Sequence, residues 1–152
     1  MSEPAPLAFQ PPRKAAMRDI EALHALIHHW ARADLMLEKS RATLYTTIRD
    51  YSVIETPAGD LAACAGLHVL WHDLAEVRSL AVQPQYQRLG LARNLLEAMT
   101  RDARDLGVTR LFAWTLTPEV FTGLGYRQIS LEALPPKVWR EYHKAAMLKD
   151  LA

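Results

Sequence analysis

VRSLAVQPQYQRLGLARNLL, residues 77–96, is the stretch of this sequence that decides the fold. Its first residues complete a β-rich segment that a proline ends, and the residues after Gly90 have the apolar spacing of a helix. The short loop between them leads into a helix start, where unpaired backbone N–H groups and the positive end of the helix dipole attract an anion. We therefore predict a diphosphate-binding loop between Gln87 and Arg93, with Gly90 permitting a positive φ and Arg88 adding charge.

Two common phosphate-binding motifs are absent from this stretch. The dinucleotide fingerprint G-x-G-x-x-G does not occur in it, and no G-K-[ST] follows the glycine as in a Walker loop. By spacing alone, a structural strand-to-helix turn with one glycine is an equal alternative to an anion site.

Helices and strands follow one another around this stretch in an order that predicts a mixed α/β (α+β) fold. We predict strands at residues 14–17, 51–56, 61–71, 74–82, 108–115, 126–130 and 146–151. We predict helices that begin at Arg18, Ser40, Leu91 and Thr117, and a last helix over residues 137–144. Gly107 is expected to end the third helix. Residues 14–152 are expected to form one domain, after a flexible tail at residues 1–13.

The overall composition argues against several classes of partner. Among 152 residues the formal net charge is +1, so no strong field attracts nucleic acid or an anionic membrane. No apolar run is long enough to cross a membrane. The single cysteine, Cys64, cannot form an internal disulfide and lies in an apolar run. We interpret it as a buried structural residue of a cytoplasmic protein.

The spacing Q-x-x-G-x-A of residues 87–92, directly after a β-rich segment, resembles motif A of the GNAT superfamily of N-acetyltransferases. The pattern F-x-x-L-G-Y of residues 121–126 is similar to a segment near the end of that fold. The resemblance implies a mixed, mostly antiparallel sheet with a β-α-β crossover that binds acetyl-CoA. The residues implied for its pantetheine arm are Leu80, Ala81 and Val82, and those implied for its diphosphate are Gln87, Arg88, Leu89, Gly90, Leu91, Ala92 and Arg93.

Four further pieces, at residues 37–41, 48–51, 75–82 and 134–139, resemble the acetyltransferase domain of bacterial N-acetylglutamate synthases. This closer resemblance implies that L-glutamate is the acceptor and that the product is the first intermediate of arginine biosynthesis. A dicarboxylic acceptor needs cationic partners. The residues expected to bind it are Lys39, Arg41, Arg78 and Ser79, with Lys144 as a weaker candidate. Lys39 occupies a position that is often arginine in these synthases.

Amine acetylation needs a group that removes a proton from the substrate ammonium. Glu76 is the candidate, because it precedes Leu80 by four residues on the predicted strand and resembles the general-base glutamate of some GNAT enzymes. A solvent-facing glutamate at a strand end is the structural alternative. Many GNAT enzymes protonate the leaving thiolate with a tyrosine, but Phe121 occupies that position here. Water, Thr115 or Tyr126 would then take its place.

Two other functions are compatible with the same sequence. One keeps the chemistry and changes the acceptor to another amino acid, a polyamine, an antibiotic or a protein N-terminus. The other is a regulatory module that holds acyl-CoA without turnover, which the missing tyrosine favours. His24 and His28 have a zinc-like spacing, but no third ligand accompanies them, so we predict no metal. GNAT relatives are often dimers, so a homodimer is the expected assembly.

Overall fold

A computed structural model describes residues 8–134 and 145–152 of the chain. The strands are β1 (Arg13–Lys14), β2 (Tyr51–Glu55), β3 (Leu61–Trp71), β4 (Leu74–Val82), β5 (Arg110–Thr115), β6 (Arg127–Ile129) and β7 (Ala145–Asp150). The helices are α1 (Ile20–Ala31), α2 (Arg41–Thr46), α3 (Leu91–Asp105) and α4 (Pro118–Thr122). Short 3₁₀ turns occupy Met17–Asp19, Ile48–Asp50, Pro84–Tyr86 and Leu131–Ala133.

The strands form one seven-stranded sheet in the order β1-β2-β3-β4-β5-β7-β6. Strands β4 and β5 run parallel, and α3 connects them. The pairs β1–β2, β5–β7 and β6–β7 are antiparallel. The predicted mixed, mostly antiparallel sheet with a β-α-β crossover is therefore confirmed.

The chain divides into two compact units, and the first comprises Met1–Ala65 with Ser79–Leu95. Its core is built on the apolar stripe of α1, whose residues recur three and four apart as the sequence pattern predicts. The buried members of this core are Ile20, Leu23, Leu26, Ile27, Leu44, Tyr51, Val53, Leu61, Cys64 and Ala81. Trp30, at the end of the stripe, is only partly buried against it.

Helix α2 begins where its sequence predicts. Ser40 is the N-cap, and its hydroxyl accepts a hydrogen bond from the Thr43 amide at 3.1 Å. The sequence of this helix predicts that Leu44, Tyr45 and Ile48 face inward. Leu44 does face the core, but the prediction for Tyr45 is wrong, because its side chain is exposed. The helix has only six residues and therefore buries only a narrow stripe, which Leu44 occupies.

The second unit comprises Gly66–Arg78 with Leu96–Ala152. Its core contains Leu74, Phe112, Leu134, Ala146 and Leu148. Gly107 ends α3 with a φ of +82°, and the Val108 amide donates to the Ala103 carbonyl at 2.9 Å, as in a glycine C-cap. The predicted stop at Gly107 is confirmed.

The N-terminal segment differs from its prediction. Strand β1 begins at Arg13 and has two residues, because the chain then turns into the 3₁₀ segment at Met17–Asp19. Within the predicted tail, residues 8–13 are described, and the Gln10 amide donates to the Glu55 carbonyl at 3.4 Å. Residues 1–7 and the predicted helix at residues 137–144 lie outside the described part, and the domain boundaries stay a prediction. In the part of the chain that is described, no helix is both long and apolar enough to span a membrane.

A buried ion cluster joins β1, β2 and the start of α1. Two Arg13 guanidinium nitrogens donate to the two Asp19 carboxylate oxygens, each at 2.9 Å, and the same guanidinium contacts Glu55. The Asp19 carboxylate also accepts from the Ala16 amide at 2.7 Å. These hydrogen bonds, above all those from Arg13, hold the pKa of Asp19 below its usual range.

We expect the substitution Asp19→Asn to lower the free energy of unfolding at pH 7 by about 1–3 kcal/mol, because it leaves the Arg13 charge without its main partner. The pKa of Asp19 is lowered by folding, so its contribution is present above the unfolded value of about 3.9 and is lost as the pH falls below it. Urea titrations of both proteins at several pH values would check this.

Glu21→Gln is the matched control for this prediction. Glu21 pairs with Arg41 through two hydrogen bonds of 2.8 and 2.9 Å, but both side chains are exposed. Its loss should therefore lower the free energy of unfolding clearly less than the loss of Asp19, because solvent screens an exposed ion pair. Equal losses for the two substitutions, or an Asp19→Asn effect that persists at low pH, would contradict the prediction.

Candidate active site

The candidate residues lie in both units. The first unit contains residues 87–93 of the predicted cofactor loop, together with Lys39, Arg41 and Ser79–Val82. The second unit contains Glu76, Arg78, Thr115 and Phe121.

The loop after β4 contains two residues with left-handed backbone. Arg88 has a φ of +63° and Gly90 a φ of +83°, and α3 begins at the next residue. Among the described residues, leaving aside Gly90 and its two chain neighbours, no atom lies within 4 Å of the position that a Gly90 Cβ would take. The glycine is therefore needed for its positive φ and not for a close contact. Gln87, directly before Arg88, is extended, with a φ of −67° and a ψ of 156°, so the chain changes direction sharply between Gln87 and the start of α3.

The amides of this loop have no acceptors of their own. Within the described chain, none of the N–H groups of residues 87–93 donates a hydrogen bond, and the first helical bond of α3 runs from Asn94 to Gly90 at 3.0 Å. Residues 87–90 and Arg93 are exposed, whereas Leu91 is buried and Ala92 is half-buried. A row of amides without acceptors at a helix start, flanked by Arg88 and Arg93, has the geometry and the charge that attract an anion.

Strand β4 is interrupted at Ser79. Its φ is +51°, which is left-handed backbone inside a strand, as occurs at a β-bulge. The Ser79 carbonyl accepts from the Cys64 thiol at 3.4 Å, and the hydroxyl groups of Ser79 and Tyr51 lie 3.4 Å apart. The strand direction therefore changes directly before Leu80.

The parallel ladder between β4 and β5 is short. It pairs Leu74 with Arg110 and ends with Glu76 opposite Phe112. Strand β5 continues to Thr115 in its pairing with β7, yet among the described residues 77–78 and 113–114 no pair extends the β4 ladder. Within the described residues, the ladder between the two parallel strands thus ends at Glu76, before the segment Leu80–Val82.

One backbone acceptor in the predicted pantetheine segment is already occupied. The indole N–H of Trp30 donates to the Val82 carbonyl at 3.1 Å, while the Leu80 and Ala81 carbonyls continue the strand before it. This contact joins residues 52 positions apart, and no local sequence signal points to it. The sequence reasoning missed Trp30 for that reason.

Glu76 and Arg78 form a buried ion pair. The Arg78 Nε donates to the Glu76 Oε1 at 2.9 Å, and the side chains are 17% and 11% exposed for arginine and glutamate, respectively. Residues two apart on a strand point to the same face, which brings the two side chains together. The solvent-facing alternative for Glu76 is therefore excluded.

The other residues proposed for the acceptor have different surroundings. Arg41 directs its guanidinium to Glu21 on α1 through two hydrogen bonds, and this raises the pKa of Arg41 above its usual value. Lys39 is half-buried and has an interaction partner within the chain. Lys144 lies outside the described residues. Arg78, one of these cations, contacts the candidate base.

The groups considered as acids for the thiolate are buried in the second unit. The rings of Phe121 and Tyr126 pack edge to face at 5.2 Å between centroids. The Tyr126 hydroxyl is buried and has no hydrogen-bond partner in the described chain, and burial raises the pKa of Tyr126. The Thr115 hydroxyl accepts from the Thr117 amide at 2.9 Å. Neither hydroxyl is exposed to solvent.

The metal alternative gains no support. His24 and His28 stack at 6.0 Å, and the His28 Nδ1 lies 2.8 Å from a Glu38 carboxylate oxygen. No group of three potential metal ligands occurs within residues 8–134 and 145–152.

Comparison with known proteins identifies the family. The model of the acetyltransferase (GNAT) family matches residues 14–121, which include the whole crossover and both left-handed loop residues. The chain belongs to the GNAT family of acetyltransferases. The predictions of the family, of acetyltransferase activity and of acetyl-CoA as the cofactor are thereby confirmed.

Several GNAT relatives are amino-acid acetyltransferases. The chain is 33% identical to the amino-acid acetyltransferase of Mycobacterium tuberculosis over 131 residues, which cover 85% of this chain and 75% of that protein. It is 35% identical to the amino-acid acetyltransferase of Neisseria meningitidis over 137 residues, 89% of this chain but only 31% of the relative. The chain therefore spans about a third of the Neisseria enzyme.

Two solved structures share the fold and are 27–30% identical to this chain in sequence. N-acetylglutamate synthase from Neisseria gonorrhoeae, complexed with coenzyme A and N-acetyl-glutamate, has a TM-score of 0.87 and 30% identity, and the match covers 99% of this chain and 36% of that one. A Mycobacterium tuberculosis protein in complex with CoA has a TM-score of 0.85 and 27% identity, covering 93% and 99% of the two chains.

Cys64 is expected to be unreactive in the folded protein. It is fully buried, and burial raises the pKa of the Cys64 thiol to about 12. Because only the thiolate reacts, we expect the thiol reagent DTNB to label the native chain at pH 8 at least about 100-fold more slowly than the chain unfolded in guanidinium chloride. Equal labelling rates, followed by absorbance, would contradict this burial and reopen a thiol mechanism.

Proposed function

We propose that the chain transfers the acetyl group of acetyl-CoA to the α-amine of an amino acid, with L-glutamate as the acceptor. The observation that carries the proposal is the row of unpaired amides between Gln87 and Arg93, in a chain that is 33–35% identical to amino-acid acetyltransferases. Production of N-acetylglutamate would give the chain a role in arginine biosynthesis. Its expected homodimer stays a prediction.

The cofactor residues fit a diphosphate and an extended thioester arm. The free N–H groups of residues 87–93 would bind the diphosphate, with Arg88 and Arg93 adding charge-assisted contacts. Backbone groups of Leu80, Ala81 and Val82 would hold the pantetheine arm, apart from the Val82 carbonyl that Trp30 occupies. Bound acetyl-CoA would supply the thioester that the amine attacks.

Glu76 is proposed to accept the proton from the substrate ammonium, directly or through water. An ammonium has no lone pair, so the proton must leave before the nitrogen attacks. Glu76 lies at the last paired position before the parallel strands part, and one carboxylate oxygen lies outside its pair with Arg78. Backbone N–H groups that follow the bulge at Ser79 would stabilise the negative charge on the thioester oxygen.

Water is proposed as the proton donor to the leaving thiolate. Phe121 carries no hydroxyl, the Thr115 hydroxyl lies within a turn in contact with the Thr117 amide and hydroxyl, and the Tyr126 hydroxyl is buried with a raised pKa. A thiolate whose conjugate acid has a pKa near 8.5 leaves without a strong acid.

Lys39 and Ser79 are the residues proposed to contact the acceptor. Lys39 provides a cation for a carboxylate, and Ser79 presents a hydroxyl at the bulge of β4. Arg41 would have to leave its two hydrogen bonds to Glu21 in order to bind a substrate carboxylate. Arg41 is therefore a secondary candidate for this contact.

The acceptor can be identified by release of free CoA thiol with a panel of amines. We expect kcat/KM for glutamate to exceed that for glutamine by at least about tenfold, because the two differ only in the charge that a cation would recognise. Glutamine is thus the matched control substrate. Turnover with other amines alone would contradict the acceptor, and CoA binding without turnover of any amine would favour a regulatory module.

A glycine pair tests the cofactor loop. Gly90 and Gly107 have φ values of +83° and +82°, and neither has an atom within 4 Å of its missing Cβ, so alanine should strain both equally. We expect Gly90→Ala and Gly107→Ala to lose similar stability, about 1 kcal/mol, while only Gly90→Ala weakens CoA binding, by about tenfold or more. Calorimetric titration with CoA would measure the affinity. Equal affinities in the two variants would contradict the assignment of the loop.

A further inference from the structure

The Glu76–Arg78 pair has features that a substrate-binding arginine would not need. Both side chains are largely removed from solvent, and the Arg78 Nε donates to the Glu76 Oε1 at 2.9 Å. A buried charge is costly unless an opposite charge meets it, so each of these side chains stabilises the other inside the protein. An acceptor carboxylate would have to compete with Glu76 for the same guanidinium.

The position of the pair on β4 is also specific. Glu76 is the last residue of β4 that pairs with β5, and Arg78 directly precedes the left-handed residue Ser79. The backbone of Glu76 is therefore held by the ladder, whereas the carboxylate at the end of its side chain is held, among the described residues, by Arg78. A glutamate has several rotatable bonds, and removal of that partner would release its carboxylate to other orientations.

We propose that Arg78 is a positioning residue that holds the Glu76 carboxylate for proton transfer, and that it does not bind the acceptor. The inference rests on the proposed function, in which Glu76 takes the proton of the substrate ammonium. Arg78 binds Oε1 and so directs Oε2, which lies outside the pair, toward the proton that is removed. The reaction does not change Arg78 itself, because a guanidinium keeps its proton under all conditions that proteins tolerate.

The alternative roles of Arg78 predict different kinetics. If Arg78 acts through Glu76, Arg78→Gln should lower kcat by about tenfold while KM for the acceptor changes less than about twofold, since the loss affects proton transfer and not substrate binding. Arg78→Lys should restore kcat to within about threefold of wild type, because an ammonium still pairs with the carboxylate. A rise in KM at unchanged kcat would instead identify a substrate-binding residue and overturn the proposal.

A double-mutant cycle decides whether the effect runs through Glu76. Glu76→Gln should lower kcat by about 100-fold and leave CoA affinity nearly unchanged. Adding Arg78→Gln to Glu76→Gln should cause no further loss, because the group that Arg78 positions is already inactive. An equal loss of kcat from Arg78→Gln in both backgrounds would overturn the proposal.

Arg110→Gln is the matched control. Arg110, on β5, donates to an Asp73 carboxylate oxygen at 3.1 Å and forms a partly buried pair in the same unit, without contact to Glu76. Arg110→Gln should leave kcat within about twofold of wild type, because it removes an ion pair of the same unit without releasing the Glu76 carboxylate. If Arg78→Gln does not fold, as judged by circular dichroism, the unchanged acceptor KM of Arg78→Lys carries the test, and a raised KM there overturns the proposal.

The experiment also separates this inference from the proposed function. A wild-type chain without turnover of any amine would overturn both. Turnover that depends on Glu76 but is indifferent to Arg78→Gln would leave the proposed function intact and overturn the positioning role alone.

Discussion

Unpaired backbone amides at the start of α3 are the constraint on which the rest of the candidate site depends. Residues 87–93 pass through left-handed Arg88 and Gly90, and their N–H groups donate to nothing in the described chain. Amides of this kind need water or an anion as acceptor. A non-glycine residue at positive φ is strained, so the arrangement does not favour stability. We therefore attribute the loop to binding.

The second constraint on the candidate site is the burial of two charged side chains on strand β4. Glu76 and Arg78 are both largely buried, and each makes the other tolerable in a medium of low polarity. One residue after Arg78 the strand contains the left-handed residue Ser79, and the ladder to β5 has already ended at Glu76. A fixed carboxylate therefore lies at the point where backbone groups of the sheet are released from pairing, which is what an acyl-transfer site needs.

Local signals explain which parts of the fold could be predicted. The limits of β3 and β4 match their predictions because local signals bound both strands. Turn residues precede β3, the turn at His72-Asp73 separates β3 from β4, and Pro84 follows β4. The Ser40 cap and the Gly107 stop depend on one residue each. No local signal of this kind marks the early end of β1 or the exposure of Tyr45, so neither was predicted. Arg13 reaches Glu55 across 42 positions, and such contacts leave no local pattern.

The sequence by itself determined the family and the crossover, and it predicted the loop that we propose for the cofactor, because a glycine at positive φ and a helix start are properties of neighbouring residues. Only the tertiary structure decided what the charged residues do. Arg41 and Arg78 have the same side chain and were expected to share a role, but packing directs one to exposed Glu21 and the other to buried Glu76. Ion pairing depends on distance and burial, and both are set by how the elements pack.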